Sequence, residues 1–155
     1  MIQASLLAAE RKPWGLFSQC ETHADIECSS TCLGRRYRYE LWWPTGIDNA
    51  REAVGIFANP SKATPDALDP TLTRWRNFCR EWGFGWSCTV NVRSWRETDP
   101  RLVPEDPRAL GEHTDAHISA AAVDADLTVC GWGKLGGKRG GEVLQMLRAA
   151  GVVPH

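Results

Sequence analysis

The strongest constraint on the fold is a short, continuous run of apolar residues, Ala53-Val54-Gly55-Ile56-Phe57-Ala58, which stops at Asn59-Pro60. Apolar side chains on both sides of a strand are typical of a parallel strand that is buried on both faces. Proline has no N–H for the sheet ladder, so Asn59-Pro60 predicts a turn where the strand ends. The run therefore predicts the centre of a parallel sheet, with Asn59, Pro60 and Ser61 at its carboxyl edge.

Strand and helix patterns alternate along the rest of the chain. A half-buried strand at a sheet edge is predicted where large apolar and charged residues alternate, at 37–43. Asp69 and Pro70 predict a helix start and Gly83 its end, and Asp115 is the predicted cap of a second helix. The predicted strands are 37–43, 53–58, 87–92 and 127–130, and the predicted helices are 70–82, 115–122 and a last one that ends at Gly151.

This alternation predicts an α/β fold, a three-layer sandwich with a mostly parallel central sheet and helices on both faces. With 155 residues, 43% hydrophobic and 24% charged, the chain has the composition of one globular domain. We expect an N-terminal arm over 1–36 and a single α/β domain over 37–155. No run of about 18 apolar residues occurs, so we expect a cytoplasmic protein without membrane contact.

The formal net charge of −1 excludes a protein held to nucleic acid by its overall charge. Local basic patches remain, and one follows the last predicted strand in a glycine-rich segment over 133–141. A strand, a glycine-rich basic loop and a helix in that order suit an anion. Lys134, Lys138 and Arg139 are therefore predicted to hold phosphate.

Four candidate metal ligands lie within the predicted N-terminal arm: Cys20, His23, Cys28 and Cys32. Their number and type suit a structural, tetrahedral zinc ion. The alternative is an irregular polar arm whose thiols are incidental. Three later cysteines, Cys79, Cys88 and Cys130, lie in apolar segments and are predicted to be structural.

Ligands of parallel sheets bind beyond the carboxyl ends of the strands, where the topology brings Asn59, Asn91 and Trp132 together. An asparagine can orient water there but cannot accept its proton, so hydrolysis needs a dissociative bond or a carboxylate. Asp69 and Asp99 are the candidates, although Asp69 equally suits a helix cap and Asp99 a turn. An aromatic side chain, Phe57 or Trp132, is predicted to stack on a base.

Several ordered segments resemble the bacterial and phage domain-of-unknown-function family numbered 1643, over about residues 37–151. They are Tyr37-Arg38-Tyr39, Asn59-Pro60-Ser61, Asp69-Pro70-Thr71, Trp82-Gly83-Phe84-Gly85, Thr98-Asp99-Pro100, Trp132-Gly133 and Arg139. This resemblance implies an architecture and a set of marked positions, but no reaction.

A looser similarity is to the uracil-DNA glycosylase superfamily. Its mismatch-specific branch has an apolar strand ending in Gly-x-Asn-Pro-Gly, where the asparagine positions the attacking water, and Ala58-Asn59-Pro60-Ser61 occupies that place here. The superfamily's second motif, a late His-Pro or Asn-Pro segment that grips DNA, has no counterpart up to Val153-Pro154-His155. A shortened domain with another substrate, an inactive relative and a site completed by a partner chain all remain open.

Two functions follow from these patterns. The first is an enzyme that hydrolyses an N-glycosidic bond of a nucleotide or nucleic acid, with DNA favoured and no cofactor required. The second is a non-catalytic nucleotide-binding or accessory module that uses the same cleft. A protein partner or a homo-oligomer is an open expectation in both cases.

Overall fold

A computed structural model describes residues 17–21, 37–63, 67–105 and 107–155, with the backbone alone described for 17–21 and Arg108. The described residues form one five-stranded sheet in the order β1-β2-β4-β3-β5. Its strands are β1 (Phe17–Glu21), β2 (Tyr37–Pro44), β3 (Glu52–Phe57), β4 (Trp86–Asn91) and β5 (Leu127–Cys130).

The sheet is mixed. Strand β3 pairs in parallel with both β4 and β5, whereas β2 pairs antiparallel with β4 and with β1. Parallel pairing is therefore confined to β4, β3 and β5, and the prediction of a mostly parallel sheet does not extend to the other two strands. The apolar run that ends at Asn59 forms β3, which lies between two other strands as its composition predicts.

Three α-helices lie in the part of the chain that is described: α1 (Pro70–Glu81), α2 (Thr114–Asp124) and α3 (Gly137–Ala149). Trp75 and Cys79 of α1 pack with Ala53 on one face of β3. On the other face, Val54 and Ile56 pack with Ile118, Ala121 and Ala122 of α2 and with Val143 and Leu147 of α3. Helices therefore cover both faces of the central strand.

Helix α1 begins and ends where its sequence predicts. The Asp69 carboxylate accepts a hydrogen bond from the backbone N–H of Leu72 at 2.8 Å, and Pro70 occupies the first turn. At the other end Gly83 has a φ of 79°, the left-handed conformation that favours glycine. The predicted range of 70–82 is confirmed to within one residue.

Helix α2 differs from its prediction. It begins at Thr114 after His113, which makes no side-chain cap, and it continues to Asp124. The predicted cap, Asp115, lies in the first turn and forms an ion pair with Arg139 of α3. A carboxylate in the first turn stabilises the helix dipole without capping, so the same residue favours a helix start at either position.

Strand β2 is not at an edge, because β1 pairs with it, and it is not half-buried, because all its residues except Pro44 are buried. Arg38 and Glu40 are 1% and 0% exposed. In the β1–β2 ladder Cys20 pairs with Arg38 and Gln19 with Glu40, which leaves Tyr39 as a bulge. A bulge interrupts the alternation of side chains. Tyr39 therefore stacks on His117 while Glu40 contacts the same imidazole.

Residues 17–21, which fall within the predicted arm, thus belong to the sheet. The backbone of Cys20 lies in β1, but its side chain and the other three candidate zinc ligands, His23, Cys28 and Cys32, are outside the described residues. Among the described residues there is no group of three or more metal-ligating side chains, and no helix is long and apolar enough to cross a membrane. Burial raises the pKa of the Cys79 thiol to about 12 and that of Cys130 to about 11, so both are neutral at physiological pH.

Candidate functional site

The carboxyl ends of β3, β4 and β5 meet at one edge of the sheet. Parallel pairing continues past the strand ends, with the N–H of Val92 bonded to the carbonyl of Phe57 at 2.8 Å and that of Arg93 to Ala58 at 3.1 Å. On the other side of β3, the N–H of Gly131 donates to the carbonyl of Ile56 at 2.8 Å. The segments that carry Asn59, Asn91 and Trp132 are therefore held side by side.

Two cavities open at this edge. The inner pocket, of about 250 Å³, is lined by six of the predicted site residues: Phe57, Asn59, Ser61, Asp69, Asn91 and Trp132. The outer pocket, of about 450 Å³, is lined by two more, Lys134 and Lys138, together with Arg93, Arg101 and Glu105. Both are bounded by Ala58, Asn59, Pro100 and Leu135, so they form two parts of one cleft.

Asn59 lies where the two pockets meet. Its Nδ2 donates hydrogen bonds to the backbone carbonyls of Glu97 at 2.7 Å and Pro60 at 3.3 Å. Only the NH₂ group of an amide can donate to a carbonyl, so these contacts also determine which way the amide is turned. The Oδ1 atom is left without a donor among the described residues.

Asn91 ends β4 and lines the inner pocket. The residue is 2% exposed, and its Nδ2 has no hydrogen-bond partner among the residues that the structure describes. A buried N–H group without a partner costs free energy, and such groups are uncommon in native proteins. Asn91 therefore carries an unmet donor at the carboxyl end of β4.

The loop after β3 is held rigidly at its backbone. Pro60 is buried, and its carbonyl accepts from the N–H of Glu97 at 2.9 Å. Arg38 donates to the carbonyl of Ala63 at 2.7 Å, and the buried Arg96 reaches the carbonyls of Ser61 to Ala63. Arg38 also lines the inner pocket. Sequence reasoning missed both arginines as site residues, because nothing local shows that these charged side chains are buried.

The Phe57 ring is accommodated by two glycines. A Cβ atom on Gly55 would come within 2.7 Å of this ring and within 2.8 Å of Trp75, and one on Gly131 within 2.7 Å of Phe57. Such distances do not occur between real side chains, so both positions require glycine or a displaced ring. Gly131, the residue before Trp132, therefore leaves space for the Phe57 ring, which lines the inner pocket.

The glycine-rich segment is helical, so the prediction that it forms a loop is wrong, whereas its predicted role in holding phosphate stays a prediction. Residues Gly133–Gly136 form a 3₁₀ helix and α3 begins at Gly137. A Cβ on Gly136 or Gly140 would overlap the indole of Trp132. These two glycines make room for a tryptophan, so packing outweighs the poor helix propensity of glycine.

Three of the predicted site residues form hydrogen bonds or ion pairs with other residues of the protein. Besides capping α1, the Asp69 carboxylate accepts a hydrogen bond from Ser61 Oγ. Asp99 caps a short 3₁₀ helix and pairs with Arg101 at 2.7 Å, an interaction that lowers the pKa of this carboxyl group. Arg139 binds Asp115 and the carbonyl of Val92. Neither Asp99 nor Arg139 lines either pocket.

Glu97 is an acidic residue of the cleft that sequence reasoning missed. Its Oε1 accepts from the backbone N–H groups of Thr98 at 2.8 Å and Asp99 at 3.4 Å. The residue also lines the inner pocket and bonds the amide of Asn59 through its carbonyl. A hydrogen bond between residues 38 positions apart leaves no local sequence signal.

Fold and site together define an α/β protein with a two-part cleft at the carboxyl ends of its parallel strands. The family described as protein of unknown function DUF1643 matches residues 36–153. This chain belongs to that family, which confirms the prediction from its ordered motifs. No curated protein and no solved structure matches the chain, and the similarity to the uracil-DNA glycosylase superfamily stays a prediction.

Proposed function

We propose that the protein binds a nucleotide or a nucleic acid, DNA in preference, and hydrolyses an N-glycosidic bond. The base enters the inner pocket and the phosphate lies in the outer pocket. One observation carries this proposal: Asn59 borders both pockets. A ligand that spans them would place its glycosidic bond, which joins base to sugar, beside the Asn59 amide.

The side chains of the inner pocket favour a planar, polar ligand. Phe57 and Trp132 offer aromatic faces, and base–aromatic stacking contributes about 1–3 kcal/mol per base. Asn91 Nδ2 offers a donor and Asn59 Oδ1 an acceptor. A heterocycle with a carbonyl and an N–H on its edge satisfies both groups.

The side chains of the outer pocket favour an anionic ligand. Four basic side chains, Arg93, Arg101, Lys134 and Lys138, border it against one carboxylate, Glu105. Arg101 is already paired with Asp99, and Lys138 lies 3.8 Å from Glu142. Lys134 is exposed and forms no ion pair with any described residue. The local excess of positive charge suits phosphate despite a net charge of −1.

The uracil-DNA glycosylase superfamily supplies the reaction by analogy alone. An Asn-Pro pair directly after a central strand, with helices on both faces of the sheet, is what that similarity predicts for an asparagine that positions water. In this proposal Asn59 Oδ1 accepts a hydrogen bond from the attacking water. Its Nδ2, held by the carbonyls of Glu97 and Pro60, keeps the acceptor in place.

A second candidate is a non-catalytic module that binds the same ligand. One observation favours it: in both Asp69 and Asp99, the two carboxylates predicted to assist hydrolysis, the oxygens are engaged by hydrogen bonds of the fold. Ligand binding without bond cleavage distinguishes this candidate from the first.

The experiment presents oligonucleotides with deaminated or modified bases to the wild-type protein, in single and double strands. Abasic sites are detected by strand scission in alkali. We expect Asn59→Ala to slow base release by about 10²-fold, the scale of losing a well-positioned reactant. Asn77→Ala, an exposed position on α1, is the matched control and should retain the wild-type rate.

Two outcomes would contradict the proposal in different ways. Base release that is unchanged in Asn59→Ala excludes the role of this residue. Binding of oligonucleotide without any abasic sites, across the full set of bases, supports the non-catalytic module.

A further inference from the structure

We infer that Glu97 is the proton acceptor of the proposed hydrolysis. This inference rests on the proposed function and names the carboxylate that an asparagine-centred site needs, since an amide cannot take a proton from water. The carboxylates of the described cleft differ in what holds their oxygens, and that difference identifies Glu97.

Both oxygens of Asp69 accept hydrogen bonds from the fold. One of its oxygens accepts from the N–H of Leu72 and the other from Ser61 Oγ. Asp99 is bound through both oxygens by Arg101 and borders neither pocket. Glu105 borders the outer pocket, among the basic side chains.

Glu97 is anchored on one side and open on the other. Backbone N–H groups of Thr98 and Asp99 bind Oε1, while Oε2 contacts no donor among the described residues. Its main chain is joined to the loop after β3 at two points, by its N–H to the Pro60 carbonyl and by its carbonyl to Asn59 Nδ2. The same residue therefore orients Asn59 through its main chain and lines the inner pocket.

The proposed step balances as a simple hydrolysis. The water oxygen forms a bond to C1′ of the sugar while the bond between C1′ and the base nitrogen breaks, and the electron pair leaves with the base. Glu97 Oε2 takes one proton from the water and passes it to the departing nitrogen. The products are the free base and a sugar with a hydroxyl group at C1′.

The test compares base release by the wild type, Glu97→Gln and Glu97→Asp across a range of pH, on the oligonucleotide that the wild type cleaves. Glutamine keeps an oxygen for the N–H groups of Thr98 and Asp99 but cannot accept the proton. We expect Glu97→Gln to lose about 10²–10⁴-fold in rate, the usual contribution of a general base. The wild-type rate should fall toward acid pH, and the residual rate of Glu97→Gln should not.

Controls separate catalysis from folding. Glu81→Gln, an exposed position at the end of α1, should retain the wild-type rate and pH profile. All variants should bind the oligonucleotide with wild-type affinity. Should Glu97→Gln unfold, Glu97→Asp takes over the test, because it restores a carboxylate and should restore the fall in rate toward acid pH.

The outcomes distinguish a failure of this inference from a failure of the proposed function. If the wild type is active and Glu97→Gln keeps both the wild-type rate and the fall in rate toward acid pH, only the role of Glu97 is overturned. A wild type that binds oligonucleotide but releases no base overturns the proposed function and this inference together.

Discussion

Asn91 is a buried polar residue whose unmet hydrogen bond lowers stability. Along the α1 side of β4, Ser87, Thr89 and Asn91 are all buried and polar, while Cys88 and Val90 on the other side are apolar. The hydroxyl of Thr89 and the Nδ2 of Asn91 have no partner within the described residues. Each unmet group costs about 1–3 kcal/mol of stability. Only Asn91 lines the inner pocket, so only its cost can be recovered by a ligand.

This difference predicts opposite effects on binding for two substitutions with similar effects on stability. Asn91→Leu and Thr89→Val each remove an unsatisfied polar group, so each should raise the free energy of unfolding by up to about 1 kcal/mol in urea denaturation. Asn91→Leu should also weaken nucleotide binding at least about tenfold, measured by calorimetry with 5′-mononucleotides, since about 1.4 kcal/mol is a factor of ten. Thr89→Val should leave binding unchanged. Equal affinities for both variants would remove Asn91 from the binding site.

Helix α3 is the element in which glycine has two different roles. Gly140 is buried against the indole of Trp132, whereas nothing lies within 4 Å of a Cβ built on Gly141. Both positions are helical, and glycine there is less favourable than alanine by about 0.8–1 kcal/mol. Packing therefore decides which glycine the helix can exchange.

The matched pair Gly141→Ala and Gly140→Ala tests this assignment. Gly141→Ala should raise the free energy of unfolding by about 0.5–1 kcal/mol, because only the helix propensity changes. Gly140→Ala should lower the free energy of unfolding and weaken ligand binding, because its methyl group displaces the indole that lines the inner pocket. Thermal and urea unfolding, followed by tryptophan fluorescence, measure both. A gain in stability at Gly140 equal to that at Gly141 would show that Trp132 does not need this space.

At the scale of the whole molecule, basic residues cluster at one place although the net charge is close to zero. The chain carries nearly equal numbers of basic and acidic residues, yet the outer pocket joins basic residues from the loop after β4, the 3₁₀ helix at Pro100 and the start of α3. Only the tertiary arrangement places these charges on one side of the cleft. Binding should then depend on salt, even though the net charge is close to zero.

The expected test uses a short single-stranded oligonucleotide and its affinity at a series of salt concentrations. Lys134→Ala and Lys138→Ala should each weaken binding and lower the slope of log affinity against log salt by about 0.7 for each phosphate that the variant no longer neutralises. Lys62→Ala is the control, since Lys62 is exposed and borders neither pocket. A slope that is the same in all three variants would place the phosphate elsewhere.

Local patterns in the sequence determined most of the elements. The apolar run before Asn59 predicts β3, and Asp69, Pro70 and Gly83 predict both ends of α1, because caps and turns depend on neighbouring residues. The ordered motifs predict the family, and the strand ends predict that Asn59, Asn91 and Trp132 border one cleft.

The tertiary structure decided what local patterns cannot encode. Strand β1 covers β2 and a bulge at Tyr39 breaks its alternation, so Arg38 and Glu40 are buried where the pattern predicts exposed charges. Helical packing against Trp132 determines the role of the glycines. A hydrogen bond from Asn59 to the carbonyl of Glu97, 38 positions along the chain, places Glu97 beside Asn59, and Arg38 bonds the carbonyl of Ala63, 25 positions away. Those partners are chosen by burial and geometry in three dimensions, and spacing along the chain carries no record of them.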